Sequence, residues 1–243
     1  MDALIIAAGY GTRLREISQS KPLTPIAGVP MLELAVRQVR ATGVERVVVV
    51  TGHNAIEIEK FLPSLSARVG IPVVSERVLH WSTPNGHSVV AGAARIDGDY
   101  LLVMADHLFE TGILERLARQ GTRSRGVTLA IDRRLDNPLI DPADATWVKT
   151  DADGRIEAIG KTIPEYDAVD CGAFLATPEL AQAIRSAIAN GAAGSLSEGM
   201  QRLADAGRAA TMDIGAAWWL DVDDPRAHAI AEAEAPARVG LTA

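Results

Sequence analysis

Short apolar runs alternate with longer stretches whose apolar residues recur at helical spacing, and this alternation predicts the architecture. Ala3 to Ala8, Arg46 to Thr51, Ile71 to Ser75 and Tyr100 to Ala105 read as strands with little polar interruption. Between them, Leu32, Ala35, Val36 and Val39 share a helical face that Gly43 ends, and Asn54 opens a short helix through Leu62. Asn85-Gly86 marks a turn before a further helical stretch, Ser88 to Arg95. Strands that are apolar on both faces need cover on both, so the order predicts an α/β fold with a parallel sheet between helical layers. Ligands in such sheets lie beyond the carboxyl ends of the strands, and both Gly9 and Asp106 directly follow a strand there.

The second half carries shorter, partly antiparallel strands: Val127 to Asp132, Thr146 to Thr150, Arg155 to Ile159 and Val169 to Leu175, with a hairpin turn at Asp151 to Gly154. Thr177-Pro178 starts one helix, and Ser195 with Glu198 forms a capping box for the next. A strand near Ala210 to Ile214 precedes Trp218 to Asp221, and Asp224-Pro225 opens a last helix. No internal repeat or linker divides the chain, so one domain over residues 1–243 is expected, frayed over about 236–243.

Nearly half of the 243 residues are apolar, which excludes global disorder. The single Cys171 has no internal disulfide partner and is expected to be a buried, inert thiol in a reducing compartment. No apolar run approaches the roughly 20 residues of a membrane span, and no signal-like lead is seen, so a cytoplasmic protein that is not membrane-embedded is expected. A net charge of −7 argues against nucleic acid as a partner. Small phosphorylated substrates are compatible with it, because glycine-loop N–H groups, a few cationic side chains and a divalent cation supply local positive charge.

That local charge is concentrated in Leu4 to Met31, LIIAAGYGTRLREISQSKPLTPIAGVPM. Gly9 and Gly11 let the backbone turn tightly with N–H groups exposed, and Arg13, Arg15 and Lys21 add cations. A dinucleotide fingerprint is the nearest rival, but Leu14 stands where it needs a third glycine, and no acidic residue closes the second strand. The string A-A-G-x-G-T-R-L followed by K-P-L resembles the signature of the sugar-phosphate nucleotidyltransferases. The resemblance implies a Rossmann-like three-layer sandwich with a mixed, mostly parallel central sheet. It also implies that Ala8, Gly9, Gly11, Thr12, Arg13 and Lys21 wrap a nucleoside triphosphate.

Asp106 ends an apolar strand, where a buried carboxylate needs a partner. A metal ion would provide one, with Asp221 and Asp223 as further ligands, and an all-oxygen set suits Mg²⁺. A turn or helix-cap role for each of these aspartates is the plainer alternative. By the same resemblance, Lys161 holds the acceptor phosphate, Gly172 faces the acceptor, and Asn85, Gly86 and Ser88 read the base with Asp106 nearby. A solvated lysine and a simple β-turn are the plainer readings of these groups. Arg133 and Arg134 could reach an anionic acceptor, but a solvated loop is the plainer reading, and His53, His80, His87 and His228, with no spacing for ligation or base catalysis, read as structural or exposed.

Met104 to His107, Ile159-Gly160-Lys161, Glu165 to Gly172 and Trp218 to Asp223 together resemble the CTP:inositol-1-phosphate cytidylyltransferases. The implied reaction transfers CMP from CTP to a small phosphorylated alcohol, inositol 1-phosphate being favoured, with release of pyrophosphate. Arg13, Lys21 and Lys161 are the implied catalytic residues. Another nucleotide, another sugar 1-phosphate, choline phosphate or a phosphonate stays open, as does an inactive nucleotide-sugar-binding regulatory subunit. In many relatives the domain is fused to a membrane transferase, so a separate membrane CDP-alcohol transferase downstream stays open, and so does a homodimer.

Overall fold

The computed structural model describes residues 1–122 and 125–240. Its strands are β1 (Asp2–Ala7), β2 (Pro25–Ile26), β3 (Val29–Pro30), β4 (Val47–Thr51), β5 (Val73–Arg77), β6 (Tyr100–Met104) and β7 (His107–Phe109) in the first half. The second half adds β8 (Val127–Asp132), β9 (Trp147–Thr150), β10 (Ile156–Gly160), β11 (Ala168–Ala176), β12 (Ala209–Asp213) and β13 (Trp219–Asp221). The helices are α1 (Met31–Ala41), α2 (Ala55–Val69), α3 (Asn85–Ala93), α4 (Ile113–Gln120), α5 (Pro178–Ala189), α6 (Leu196–Asp205) and α7 (Pro225–Arg238).

Among the described residues, a nine-stranded sheet runs β10-β9-β11-β6-β1-β4-β5, with β8 pairing β11 and β12 pairing β8. The block β6-β1-β4-β5 is parallel, as the unbroken apolar runs require. β11 is antiparallel to β6, β8 and β9, and β10 is antiparallel to β9, so these two oppose an otherwise common direction. The sheet is therefore mixed and mostly parallel.

Its faces are both covered. Ile5, Val49 and Val103 pack with α1, α2 and α4 residues such as Val36, Leu65 and Leu117, while Leu4, Val50 and Leu102 pack with Val89, Ile184 and Met200 on the opposite side. No helix among the described residues is long and apolar enough to cross a membrane.

Several boundaries differ from the expectation. α2 does not stop at Leu62 but continues through Pro63 to Val69, because Leu65 and Val69 extend the buried stripe of Ile58 and Leu62. Burial of that stripe outweighs the lost hydrogen bond. β5 is shifted to Val73–Arg77: it is an edge strand, so its polar end does not read as buried. Asn85 and Gly86 are not a turn before a helix; they are the first residues of α3, behind Pro84. α7 stays helical through Arg238, past the expected fraying at 236, with Ala231 and Ala235 fully buried. Residues 241–243 of that expected frayed end lie outside the described residues.

Candidate active site

β1 leaves the sheet at Ala7 between the parallel ends of β4 and β6, so the glycine loop and Asp106 share one edge. Gly11 has φ +61, and a Cβ there would run into the Lys21 side chain, so both backbone conformation and space require glycine. Thr12–Leu14 forms a single 3₁₀ turn that buries Leu14 and leaves Arg13 exposed. A second 3₁₀ turn, Lys21–Leu23, returns the chain. Gly9, Gly11, Thr12, Arg13 and Lys21 consequently line one cleft with Asp106 and Asp223.

The late carboxylates reach this edge through a two-stranded ribbon. β13 pairs antiparallel with β7 so that Asp221 lies opposite His107, and the Val222 N–H donates to the Asp106 carbonyl at 2.9 Å. Lys21 Nζ lies 2.6 Å from both Asp106 Oδ2 and Asp223 Oδ1. His107 Nδ1 is 2.8 Å from Asp106 Oδ1 and 3.7 Å from Asp221 Oδ1. Asp106 thus finds in Lys21 and His107 the partners that a carboxylate at a strand end requires.

The charges are strongly coupled. Burial opposes ionisation of Asp106, but the Lys21 charge and the His107 hydrogen bond outweigh it and hold the carboxyl far below its usual range. Burial likewise opposes the His107 cation, yet the Asp221 charge and the Asp106 hydrogen bond raise its pKa to about 9. Burial pushes Asp221 upward although His107 pulls it back.

Asp106, His107 and Asp221 bring ligand atoms within 4.8 Å of one another, and so do Asp144, Asp221 and Asp223. Asp221 is common to both arrangements, and its Oδ1 is buried without a hydrogen-bond partner. An orphaned carboxylate oxygen in a set of hard donors fits a divalent cation.

A second, larger cavity adjoins this cleft and is lined by Lys161, Asn85, Thr146, Asp170, Gly172 and Asp221 among others. Lys161 is more than half exposed, with Nζ 2.5 Å from Asp144 Oδ1. Arg13 bonds Asp223 and Asp144 and lies 3.5 Å from Asp141. Gly172 (φ +77) sits where β11 loses register with β8, and a Cβ there would strike the His107 ring. His107 also stacks on Trp219, with ring centroids 6.1 Å apart, and Trp219 Nε1 donates to the fully buried Asp132 at 2.9 Å.

The three residues expected to read the base do not line the glycine-loop cleft. Asn85 lines the larger cavity and accepts from the Leu196 N–H at 2.9 Å. Gly86 lets α3 press against the Gly194 carbonyl, and Ser88 is buried within α3. Arg134 is tied to Asp132, and Arg133 pairs with Asp167 and Asp213, so both serve local structure. His107, Asp141, Asp144 and Asp170 escaped the sequence reading as site residues. The pattern D-N-P-L-I-D-P-A-D carries no periodicity and reads as a solvated loop, and only the fold folds it over Arg13 and Lys161.

A sequence model of the MobA-like NTP transferase domain matches residues 3–196. The chain belongs to the MobA-like NTP transferase family. This NTP transferase is 34% identical over 229 residues to the bifunctional IPC transferase and DIPP synthase of Rubrobacter xylanophilus, covering 92% of the chain and 49% of that relative. The protein of the same name from Aquifex aeolicus is 28% identical over 226 residues, with 92% and 49% covered. The chain spans about half the length of the curated relatives it matches. It is also 35% identical over 154 residues to the CMP-5'-(3-aminopropyl)phosphonate synthase of Streptomyces rubellomurinus, covering 63% of the chain and 23% of that protein. In fold it matches the inositol-1-phosphate CTP transferase from T. maritima, with a TM-score of 0.81 at 22% identity over 93% of the chain and 90% of that structure. The resemblance drawn from the motifs holds: the chain is an NTP transferase by family and is similar to proteins named IPC transferases.

Proposed function

We propose that this NTP transferase transfers CMP from CTP to inositol 1-phosphate in a Mg²⁺-dependent reaction that releases pyrophosphate. The observation that carries the reading is the convergence of Lys21 with Asp106 and Asp223, at 2.6 Å each, beside the cavity that Lys161 lines. Residues far apart in sequence thereby gather phosphate-binding cations and cation-binding carboxylates at one sheet edge. The 34% identity to an IPC transferase supports the choice of nucleotide and acceptor.

In this reading the backbone N–H groups around Gly9 to Thr12, with Arg13 and Lys21, bind the triphosphate and stabilise charge on the departing pyrophosphate. Lys161 holds the acceptor phosphate as a point charge and aligns its oxygen with the α-phosphorus. That oxygen forms the new bond as the bond to pyrophosphate breaks. No protein base is required, because the second pKa of a phosphomonoester is about 6 and the attacking group is already largely dianionic at pH 7. Asp106, Asp221 and Asp223 would hold Mg²⁺, which when bound neutralises phosphate charge.

A phosphonate acceptor is the second reading, favoured by the likeness to the aminopropylphosphonate synthase. Pyrophosphate release should be measured for CTP, UTP, ATP and GTP against inositol 1-phosphate, glucose 1-phosphate, choline phosphate and 3-aminopropylphosphonate, with Mg²⁺ or EDTA. Turnover confined to CTP, inositol 1-phosphate and Mg²⁺ is expected. A preference for another pair, or full activity in EDTA, would overturn the assignment.

A further inference from the structure

Tyr10 stands between the two glycines of the phosphate loop, and the proposed chemistry uses its neighbours but not its side chain. Gly9 and Gly11 line the cleft, whereas Tyr10 and Arg15 do not. The Tyr10 ring, 38% exposed, instead joins an aromatic cluster outside it. Its centroid lies 5.4 Å from that of Trp81, with the planes 9° apart, and 4.4 Å from that of His53. The Arg15 guanidinium carbon is 3.8 Å from the same centroid, and His53 and Trp81 are 5.0 Å apart. Three separate segments meet here: the glycine loop, the turn between β4 and α2, and the connection from β5 to α3.

The backbone beside the cluster converges on that turn. The His53 N–H donates to the Ala8 carbonyl at 3.0 Å, and a Cβ on Gly52 would strike both that carbonyl and the Trp81 side chain. Asn54 holds a left-handed φ of +53, which asparagine tolerates better than most residues, and its side-chain N–H donates to the Gln19 carbonyl at 2.5 Å. Ala8 and Gln19 flank the phosphate loop, so one turn ties down both of its ends. Between those ties two glycines leave the backbone many conformations, and nothing lies within 4 Å of where a Gly9 Cβ would be. A loop that must present its N–H groups to a triphosphate loses that freedom on binding, unless a side chain has already removed it. Tyr10 is placed to do so. Aromatic pairs at such separations attract beyond the area they bury, and a guanidinium over the ring adds to the attraction.

We propose that Tyr10 is a positioning residue: stacked on Trp81 and His53, it fixes the glycine loop in the form that receives the nucleoside triphosphate. The inference rests on the proposed function, in that it takes the glycine loop as the triphosphate site. It gives Arg15 a place on the Tyr10 ring rather than on a phosphate.

Calorimetry with CTP, UTP, ATP and GTP in Mg²⁺ isolates the loop from the acceptor, and pyrophosphate release with inositol 1-phosphate follows turnover. Wild type should be compared with Tyr10→Phe, Tyr10→Ala, Trp81→Leu and the double variant Tyr10→Ala with Trp81→Leu. We expect Tyr10→Ala to raise the Kd and KM for CTP about 5- to 100-fold, the range of two aromatic contacts, and to leave the KM for inositol 1-phosphate unchanged. Tyr10→Phe keeps the ring and should match the wild type. Trp81→Leu should weaken CTP binding as well, and the double variant should bind CTP no more weakly than Tyr10→Ala alone, because the second change removes a contact already lost. Tyr10→Leu gives the same comparison should the alanine variant not fold. A merely structural cluster would lower Tm and leave the Kd for CTP as in the wild type. An unchanged Kd in folded Tyr10→Ala, a Tyr10→Phe as weak as Tyr10→Ala, or additive losses in the double variant would overturn the inference alone. A wild type that prefers another of the four nucleotides, or that binds CTP without turning over inositol 1-phosphate, would overturn the proposed function alone, the variants then being compared on the preferred nucleotide. Binding of none of the four would overturn both.

Discussion

Lys21→Met is the perturbation that separates metal binding from turnover. The ammonium is only 11% exposed and bonds both Asp106 and Asp223 at 2.6 Å, so water cannot replace those contacts cheaply. Each such bond is worth about 1.5 to 3 kcal/mol, and these two carboxylates are the proposed ligands of the divalent cation. Methionine keeps the unbranched side chain up to the ε position and removes the competitor. Mg²⁺ or Mn²⁺ binding to the nucleotide-free protein, measured by calorimetry, should tighten by about 10- to 100-fold, the equivalent of one lost bond. The kcat should move the other way, by about 100- to 1000-fold, the scale seen when a transition-state donor is removed. Asp106 and Asp223 would also lose their shared counter-charge, lowering Tm in EDTA and restoring it on metal addition. Weaker or unchanged metal binding in a folded variant would refute the reasoning, because Lys21 would then not compete for these oxygens.

The other outcomes test separate parts of the molecule. Lys161→Ala should raise the KM for the acceptor by about tenfold or more, as for a lost charged hydrogen bond, and leave the KM for CTP unchanged; equal damage to both would move Lys161 away from the acceptor. Asp132→Ala should lower stability by about 1 to 3 kcal/mol in urea unfolding, since it leaves the buried Trp219 indole N–H without its acceptor while Arg134 keeps the Ala216 and Ala217 carbonyls. A loss below about 1 kcal/mol, the level of an exposed pair, would refute that role. Glu33 is buried: burial raises its pKa, but hydrogen bonds from Arg68 and Arg37 outweigh that and leave it below 4.5. Its unfolded pKa is thus the higher one, so its stabilisation is complete above about 4.5 and lost as pH falls through the folded value. The Tm deficit of Glu33→Gln should therefore be largest near pH 7 and shrink below pH 4.5; a constant deficit would refute it.

The parallel half of the fold was legible because each strand is apolar on both faces and each helix carries one apolar stripe. Where the reading slipped, tertiary burial overrode a local signal: the stripe of α2 runs on past Pro63, and the edge strand β5 carries polar residues where a central strand would not. The glycine loop was legible for a different reason. Gly11 is required both by its positive φ and by Lys21 packed against it, so backbone and side chain impose the same residue. Asp170 and the pair Asp141 and Asp144 had no such double constraint. A carboxylate in an aperiodic loop or at a strand irregularity looks the same in sequence whether it faces water or a cavity.

What the sequence could least show is how an acidic chain of net charge −7 receives polyanionic substrates. The structure answers with local neutrality. Lys21 lies against Asp106 and Asp223, Arg13 against Asp223, Asp144 and Asp141, and Lys161 against Asp144. On the proposed function, phosphate oxygens and a divalent cation exchange into these pairs, the anion taking the ammonium or guanidinium and the cation taking the carboxylate. Each exchange keeps the local charge balanced, so the bulk repulsion, screened beyond about 8 Å at physiological salt, never acts on an unpaired group. Asp144 reaches both Arg13 and Lys161, so the same carboxylate is released when either substrate takes its cation. If Arg13 holds the nucleotide and Lys161 the acceptor, as proposed, the two substrates are linked through one aspartate that the sequence presents as an ordinary loop residue.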